Sequence, residues 1–228
     1  MKRKIITTGD GSKTIQIEDW DEQYHSKHGA IQEAQHVFIK HGLHYKIENF
    51  LGYQSEPLSI LEIGFGTGLN AFLTLLEAEK LNCSITYVGV EAFPVKPEEL
   101  QLLNYPEQLL KEDRTLQFEA LHEVDWKADH EITSLFTLHK QQKEFKDIDE
   151  VNSFDLIYFD AFGARVQPEL WTEDIFKIMF EALRPNGVLV TYSAKGSVRR
   201  AMLAVGFKVD KLPGPPGKRE MLRAYKPA

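Results

Sequence analysis

Pro57 divides the chain into two patterns of apolar and polar positions. Upstream, residues 1–18 alternate loosely, as in Thr14-Ile15-Gln16-Ile17, which predicts an edge hairpin or arm. From Ala30 to Phe50, Ile31, Ala34, Val37, Phe38 and Ile47 recur at helical spacing, with a break expected near His41-Gly42. Downstream, short apolar runs alternate with longer amphipathic ones. Leu58–Ile63, Ser84–Val90, Phe154–Phe159 and Gly187–Tyr192 read as strands, and Leu116–Val124 as another, third in order. Between them, Leu69–Leu81, Pro97–Lys111 and Pro168–Leu183 read as helices. Pro168 suits a first helical turn, and Arg184-Pro-Asn-Gly187 stops the last of the three. After a helix at Ser197–Ala204, the strands Phe207–Leu212 and Glu220–Tyr225 are joined by Pro213-Gly-Pro-Pro-Gly217, too short for a crossover, so they pair antiparallel.

Strands alternating with helices predict a doubly wound α/β domain with a mostly parallel seven-stranded sheet and one antiparallel strand near the C-terminal end. Residues 55–228 form that domain, and residues 1–54 an N-terminal extension packed on it. The polar stretch from Lys127 to Asn152 reads as a long loop.

Composition narrows the class. A chain of 228 residues, 43% apolar and 27% charged, is a soluble globular protein able to build one core. Cys83 is the only cysteine, which rules out an internal disulfide and a cysteine zinc cluster, and no metal is expected. No window reaches the ~18 apolar residues of a membrane span. The opening Met1-Lys-Arg-Lys is followed by a stretch too short and polar for a signal peptide, so the cytoplasm is the expected location. Residues 184–228 carry ten Lys and Arg against Asp210 and Glu220, a balance of +8, which with the overall −7 leaves −15 on residues 1–183. A basic end on an acidic chain suits a polyanion engaged by one face, or a dispersed solvated surface.

The sharpest chemical signal is Leu61-Glu-Ile-Gly64-Phe-Gly66-Thr-Gly68-Leu-Asn70, which joins a strand to a helix. Glycines there let the backbone turn tightly against a ligand, and the G-x-G-x-G spacing differs from the G-x-G-x-x-G of dinucleotide folds, which disfavours a dehydrogenase. Glu91 ends the second strand 23 positions after Gly68, where its carboxylate can accept bonds from both hydroxyls of a ribose. Asp160-Ala-Phe162-Gly163 ends the fourth strand, on the side where open α/β sheets hold ligands. It offers a carboxylate beside an aromatic face on which a base can stack.

The glycine loop with its distant acid resembles the class I S-adenosylmethionine methyltransferases over residues 55–228. A narrower resemblance spans nearly the whole chain. Asp19-Trp-Asp21-Glu-Gln-Tyr24, Gly29–Phe38, Asp160-Ala-Phe-Gly, Pro168-Glu-Leu-Trp171-Thr, Arg184-Pro-Asn-Gly187, Val198-Arg-Arg200-Ala and Lys218-Arg219-Glu220-Met221 are similar to the methyltransferase half of the MnmC proteins and their stand-alone MnmD relatives. That family's acid after the third strand, which faces the adenine, has no clear counterpart in Phe118–Trp126.

The resemblance implies S-adenosyl-L-methionine as cofactor, held by Glu62, Gly64, Gly66, Gly68, Asn70, Glu91 and Asp160. It implies transfer of a methyl group to the amine of 5-aminomethyl-(2-thio)uridine at the tRNA wobble position, with Asp160 as the catalytic residue. Phe162, Arg199, Arg200, Lys218 and Arg219 would bind the tRNA anticodon arm. The FAD-dependent oxidoreductase domain of MnmC is expected to be absent. Two other readings stand beside this one: a methyltransferase of the same fold acting on a small-molecule or protein amine, and a non-catalytic nucleotide-binding module.

Overall fold

The computed structural model describes residues 2–50 and 56–228, so the expected domain boundary at 54/55 lies outside the described residues. At the N-terminus β1 (Arg3–Thr7) and β2 (Lys13–Ile17) form the expected hairpin, and β3 (Glu22–Gln23) adds to β2, making a separate three-stranded sheet. A helical run, α1 (residues 30–50), follows without the expected break. Alpha-helical turns at Ala30–Ala34 and Tyr45–Phe50 flank a π-helical stretch, Gln35–His44. Gly42 lies inside that stretch because the helix presses on the sheet there: a β-carbon on it would meet Val190 Cγ2 at 3.0 Å and Tyr158 Cε1 at 3.1 Å. The glycine marks close packing, not a stop.

The main domain runs β4 (Leu58–Ile63), α2 (Leu69–Leu81), β5 (Ile85–Val90), α3 (Thr115–Glu123), β6 (Asp129–Thr133), β7 (Phe136–Gln141) and β8 (Phe154–Phe159). It continues with α4 (Glu173–Ala182), β9 (Leu183–Thr191), α5 (Gly196–Ala204), β10 (Lys208–Pro213) and β11 (Glu220–Tyr225). The sheet order is β10-β11-β9-β8-β4-β5-β7-β6. Strands β9, β8, β4, β5 and β7 pair parallel, and β11 is reversed between β9 and β10. The seven-stranded arrangement therefore stands, with an eighth strand, β6, antiparallel at the β7 edge. Helices α1, α2 and α3 cover one face over Phe38, Phe72, Tyr87 and Tyr158, and α4 and α5 cover the other over Phe159, Phe176 and Met202. Chain order reverses direction between β4 and β8, which opens a crevice at their C-terminal ends.

Four elements differ from expectation. Leu116–Val124 is helical: its alternation suggests a strand, but the residues turned inward are Phe118 and Leu121, at helical spacing, while Leu116 is 76% exposed. The third strand is β7, inside the stretch expected to be a loop, with Phe136, Leu138 and Lys140 facing inward. An inward lysine breaks the apolar alternation that marks a half-buried strand. Pro97–Lys111 holds only single helical turns at Pro97–Leu100 and Tyr105–Gln108, since Pro106 cannot donate to a helix continuing through it. Leu183 opens β9 instead of closing a helix, and a 3-10 turn at Pro168–Trp171 precedes α4. Among the described residues no helix is long and apolar enough to cross a membrane.

Candidate active site at the sheet crevice

The loop after β4 is held by its glycines. Gly64, Gly66 and Gly68 adopt φ of 88°, 50° and 71°, the left-handed region that side chains disfavour. At Gly64 a β-carbon would come within 2.9 Å of the Asp160 carbonyl oxygen, so only glycine lets the loop lie against the end of β8. Glu91, just past β5, clasps the loop from the other side. Its Oε2 accepts the Gly66 amide at 3.1 Å and its Oε1 accepts the Phe93 amide at 2.9 Å. Burial raises the proton affinity of Glu91, and these backbone bonds oppose it.

A cavity opens between these elements, walled by Gly64, Gly66, Glu91, Asp160 and Phe162. Five predicted residues thus share one wall. Glu62, Asn70 and Gly68 do not line it. Glu62 and Asn70 are each 1% exposed and stand behind the wall: Asn70 Nδ2 donates to Glu62 Oε1 at 2.9 Å and to Asp160 Oδ2 at 2.8 Å. They reach a ligand through Asp160 and the loop. Burial pushes the Glu62 carboxyl well above its ordinary range, against the pull of its bond from Asn70. Asp160 is pushed up to about 7, first by burial and then by the charge of Glu33, while its bond from Asn70 and the charge of Lys218 pull it down.

The cavity wall also carries residues that sequence reasoning does not single out. Trp20 and Tyr24, from the N-terminal extension, pack edge-on against Phe162, with ring centroids 5.7 and 4.9 Å away. Arg165 ties this segment to the loop after β8, donating to the carbonyls of Trp20 and Asp21, both at 2.9 Å, and to Glu22 Oε2 at 3.1 Å. Trp171 Nε1 donates to the Phe162 carbonyl at 2.8 Å and fixes the loop from below. On the far side stand Phe93, Glu144 and Phe145. Glu144 lies shortly beyond β7, where the family pattern has its adenine-facing acid, and only the true position of the third strand brings it to notice. A neighbouring cavity shares Gly66 and Glu91 and is lined by Phe118, His122, Trp126 and Lys140. Burial lowers Lys140 to about 8 and His122 to about 3.

The basic C-terminal residues divide into two groups. Arg184, Lys211 and Arg223 pair with Asp155, Glu220 and Asp210, and Lys226 donates to Asn152 and to the Leu183 carbonyl. Lys218, expected on the phosphate surface, instead pairs with buried Glu33 at 2.5 Å. Arg200 and Arg219 are exposed, and Arg199 is partly buried on α5. The +8 balance therefore overstates the charge free for a polyanion.

A parallel sheet with a reversed strand beside β9, a left-handed glycine loop after the first parallel strand and acids at the ends of the second and fourth define a class I methyltransferase. The family described as S-adenosyl-L-methionine-dependent methyltransferase matches residues 104–227, and this chain belongs to it, with S-adenosyl-L-methionine as cofactor. The glycine cradle and the Glu91 carboxylate fit that group. The chain is 28% identical over 212 residues to the tRNA 5-methylaminomethyl-2-thiouridine biosynthesis bifunctional protein MnmC of Hydrogenovibrio crunogenus, covering 89% of this chain and 31% of that one. It is 30% identical over 227 residues to the MnmC of Pseudomonas savastanoi pv. phaseolicola, covering 90% and 34%. The chain thus spans about a third of the length of these relatives. The crystal structure of MnmC2 from Aquifex aeolicus superposes with a TM-score of 0.78 at 26% identity, over 100% of this chain and 72% of that one. Spermidine synthase from Thermotoga maritima shares the fold alone, with a TM-score of 0.50 at 12% identity.

Proposed function

We propose that this protein methylates the primary amine of 5-aminomethyl-(2-thio)uridine at the wobble position of tRNA, in the cytoplasm. The observation that carries this reading is Asp160, a carboxyl pushed up to about 7 that lines the cofactor cavity together with the aromatic ring of Phe162. An aminomethyl group is mostly cationic at neutral pH and has no lone pair to attack with. A carboxylate whose proton affinity lies near neutrality can take one proton from it and hold the resulting amine in line. The name borne by the MnmC relatives, which places them in 5-methylaminomethyl-2-thiouridine biosynthesis, supports the same acceptor.

The chain's residues divide the work. Glu91, clasped to the glycine loop, would hold the cofactor's ribose, and Phe93 with Glu144 and Phe145 would receive its adenine. Bound S-adenosyl-L-methionine supplies an electrophilic methyl group on a sulfonium. Asp160 accepts a proton from the acceptor ammonium and holds the freed amine lone pair in line with the methyl group that the bound cofactor would supply. The product is a secondary ammonium, and Asp160 returns its proton to water. Phe162, braced by Trp20 and Tyr24, stacks on the uracil ring. Arg199, Arg200 and Arg219 contact phosphates of the anticodon arm and position it without reading its sequence.

The reading is tested by incubating the purified chain with S-adenosyl-L-methionine and tRNA bearing 5-aminomethyl-2-thiouridine, then analysing the nucleosides by mass. Gain of one methyl on that nucleoside is expected. Methylation of a protein or small amine, with none on the tRNA, overturns it.

A further inference from the structure

A second buried acid, outside the cavity wall, has a partner of its own. Glu33, in the first turns of α1, is 6% exposed and forms an ion pair with Lys218 Nζ at 2.5 Å. The Lys218 ammonium sits 3.9 Å above the centre of the Tyr192 ring. Tyr192, just past β9, donates its hydroxyl to the Ala161 carbonyl at 2.8 Å, one residue from Asp160. The N-terminal helix and the Pro-Gly turn before β11, far apart in sequence, thus meet at the end of β8. Lys218 is the cation whose charge favours the Asp160 carboxylate.

We propose that Glu33 and Lys218 are positioning residues for methyl transfer, an ion pair braced on Tyr192 whose two opposite charges set how readily Asp160 takes the acceptor's proton. The proposal rests on the methyl-transfer reading of the cleft. Asn70 from α2 donates to Asp160, the charges of Glu33 from α1 and Lys218 from the turn before β11 act on it, and Glu62 from β4, Tyr87 from β5, Tyr105 and Tyr192 feel its charge in turn. Glu33 and Lys218 are the two charged side chains that push Asp160 in opposite directions. Glu33 favours the protonated acid and Lys218 the carboxylate. A group that must both receive a proton and release it each turnover works best with its affinity near the working pH. The pair supplies that balance, with the buried carboxylate held in place by an ammonium instead of by water.

The test is a carbon-13 titration of the Asp160 carboxyl in the full chain without acceptor, its signal assigned by its loss in Asp160→Asn. Glu33→Gln is expected to lower the midpoint and Lys218→Met to raise it, each by roughly one pH unit. The acid limb of the single-turnover rate moves with each midpoint. Unmoved midpoints, or shifts of the same sign in both variants, overturn the proposal, since loss of packing has no reason to produce opposite signs. If Glu33→Gln does not fold, Lys218→Met and Glu33→Asp decide it: the first must raise the midpoint and the second keep it near wild type. The titration needs no tRNA, so failure of the wobble-uridine reading silences the rate alone and leaves the midpoints to judge this one.

Discussion

Glu91 and Asp160 occupy equivalent places, each just past the C-terminal end of a parallel strand and on opposite flanks of one glycine loop, yet their surroundings fit them for different work. Both Glu91 oxygens accept backbone amides, from Gly66 and Phe93, so its carboxylate is fixed and its charge anchored. Asp160 accepts from the Asn70 amide, which it shares with Glu62, and it feels the like charge of Glu33. Burial raises both acids, and on Asp160 the like charge of Glu33 adds to it and carries the carboxyl up to about 7. On the proposed reading, two carboxylates on one rim serve as a binding group and a proton handler because of what donates to them, not because of where they stand.

The largest expected effect breaks the comparison on the Asp160 side. Asp160→Asn keeps the shape but loses charge and basicity, so single-turnover methylation of aminomethyl-bearing tRNA should fall ~10²–10⁴-fold. Cofactor affinity, read by calorimetry, should stay within about tenfold of wild type. On the other flank the pattern inverts. Glu91→Ala should weaken S-adenosyl-L-methionine binding by about 1.5–3 kcal/mol, roughly 10- to 150-fold, the scale of hydrogen bonds to a charged group. Unchanged affinity in that variant would remove Glu91 from the site.

Stability sharpens the contrast. The folded chain holds the Asp160 proton more tightly than the unfolded chain, whose carboxyl titrates near 3.8. The contribution of this group is thus fully present below about pH 4 and is lost as pH rises through 7. At pH 8 the buried charge strains the fold, and Asp160→Asn should raise Tm by on the order of 10 °C there, at roughly 2–4 °C per kcal/mol for a chain of this size. Near pH 4 the gain should vanish. The smallest effect belongs to the rim. Replacing Arg199, Arg200 and Arg219 together by Ala should flatten the salt dependence of tRNA binding by roughly 0.7–0.9 for each phosphate left without its arginine, with cofactor affinity intact. A slope equal to wild type would return them to ordinary surface.

The parts of the fold legible in the sequence are those where burial on both faces leaves a continuous apolar run. Strands β4, β5 and β8 read directly, and their ends bring Gly64, Gly66, Glu91, Asp160 and Phe162 to one wall. The edge of the sheet is not legible. Lys140 faces inward on β7 with its ammonium bonded to the His122 carbonyl, a tertiary arrangement that no periodicity reports. With β7 hidden, Glu144 is hidden too. Trp20 and Tyr24 lie in a segment that resembles the MnmC group, yet nothing local assigns them to the cleft. They reach it through the packing of the N-terminal hairpin on the sheet. Lys218 looks like a phosphate contact because sequence shows its charge and not its partner.

The central claim is that Asp160 carries the acceptor's proton, and the pH dependence of single-turnover methylation tests it most directly. In the wild type the rate should rise through a step near pH 7 and level off, as Asp160 gains its charge. In Asp160→Asn that step should disappear, leaving a slow rate that climbs steadily with pH as more of the free amine becomes neutral. A variant that retains the step near pH 7, or that methylates at near wild-type rate across that range, contradicts the account.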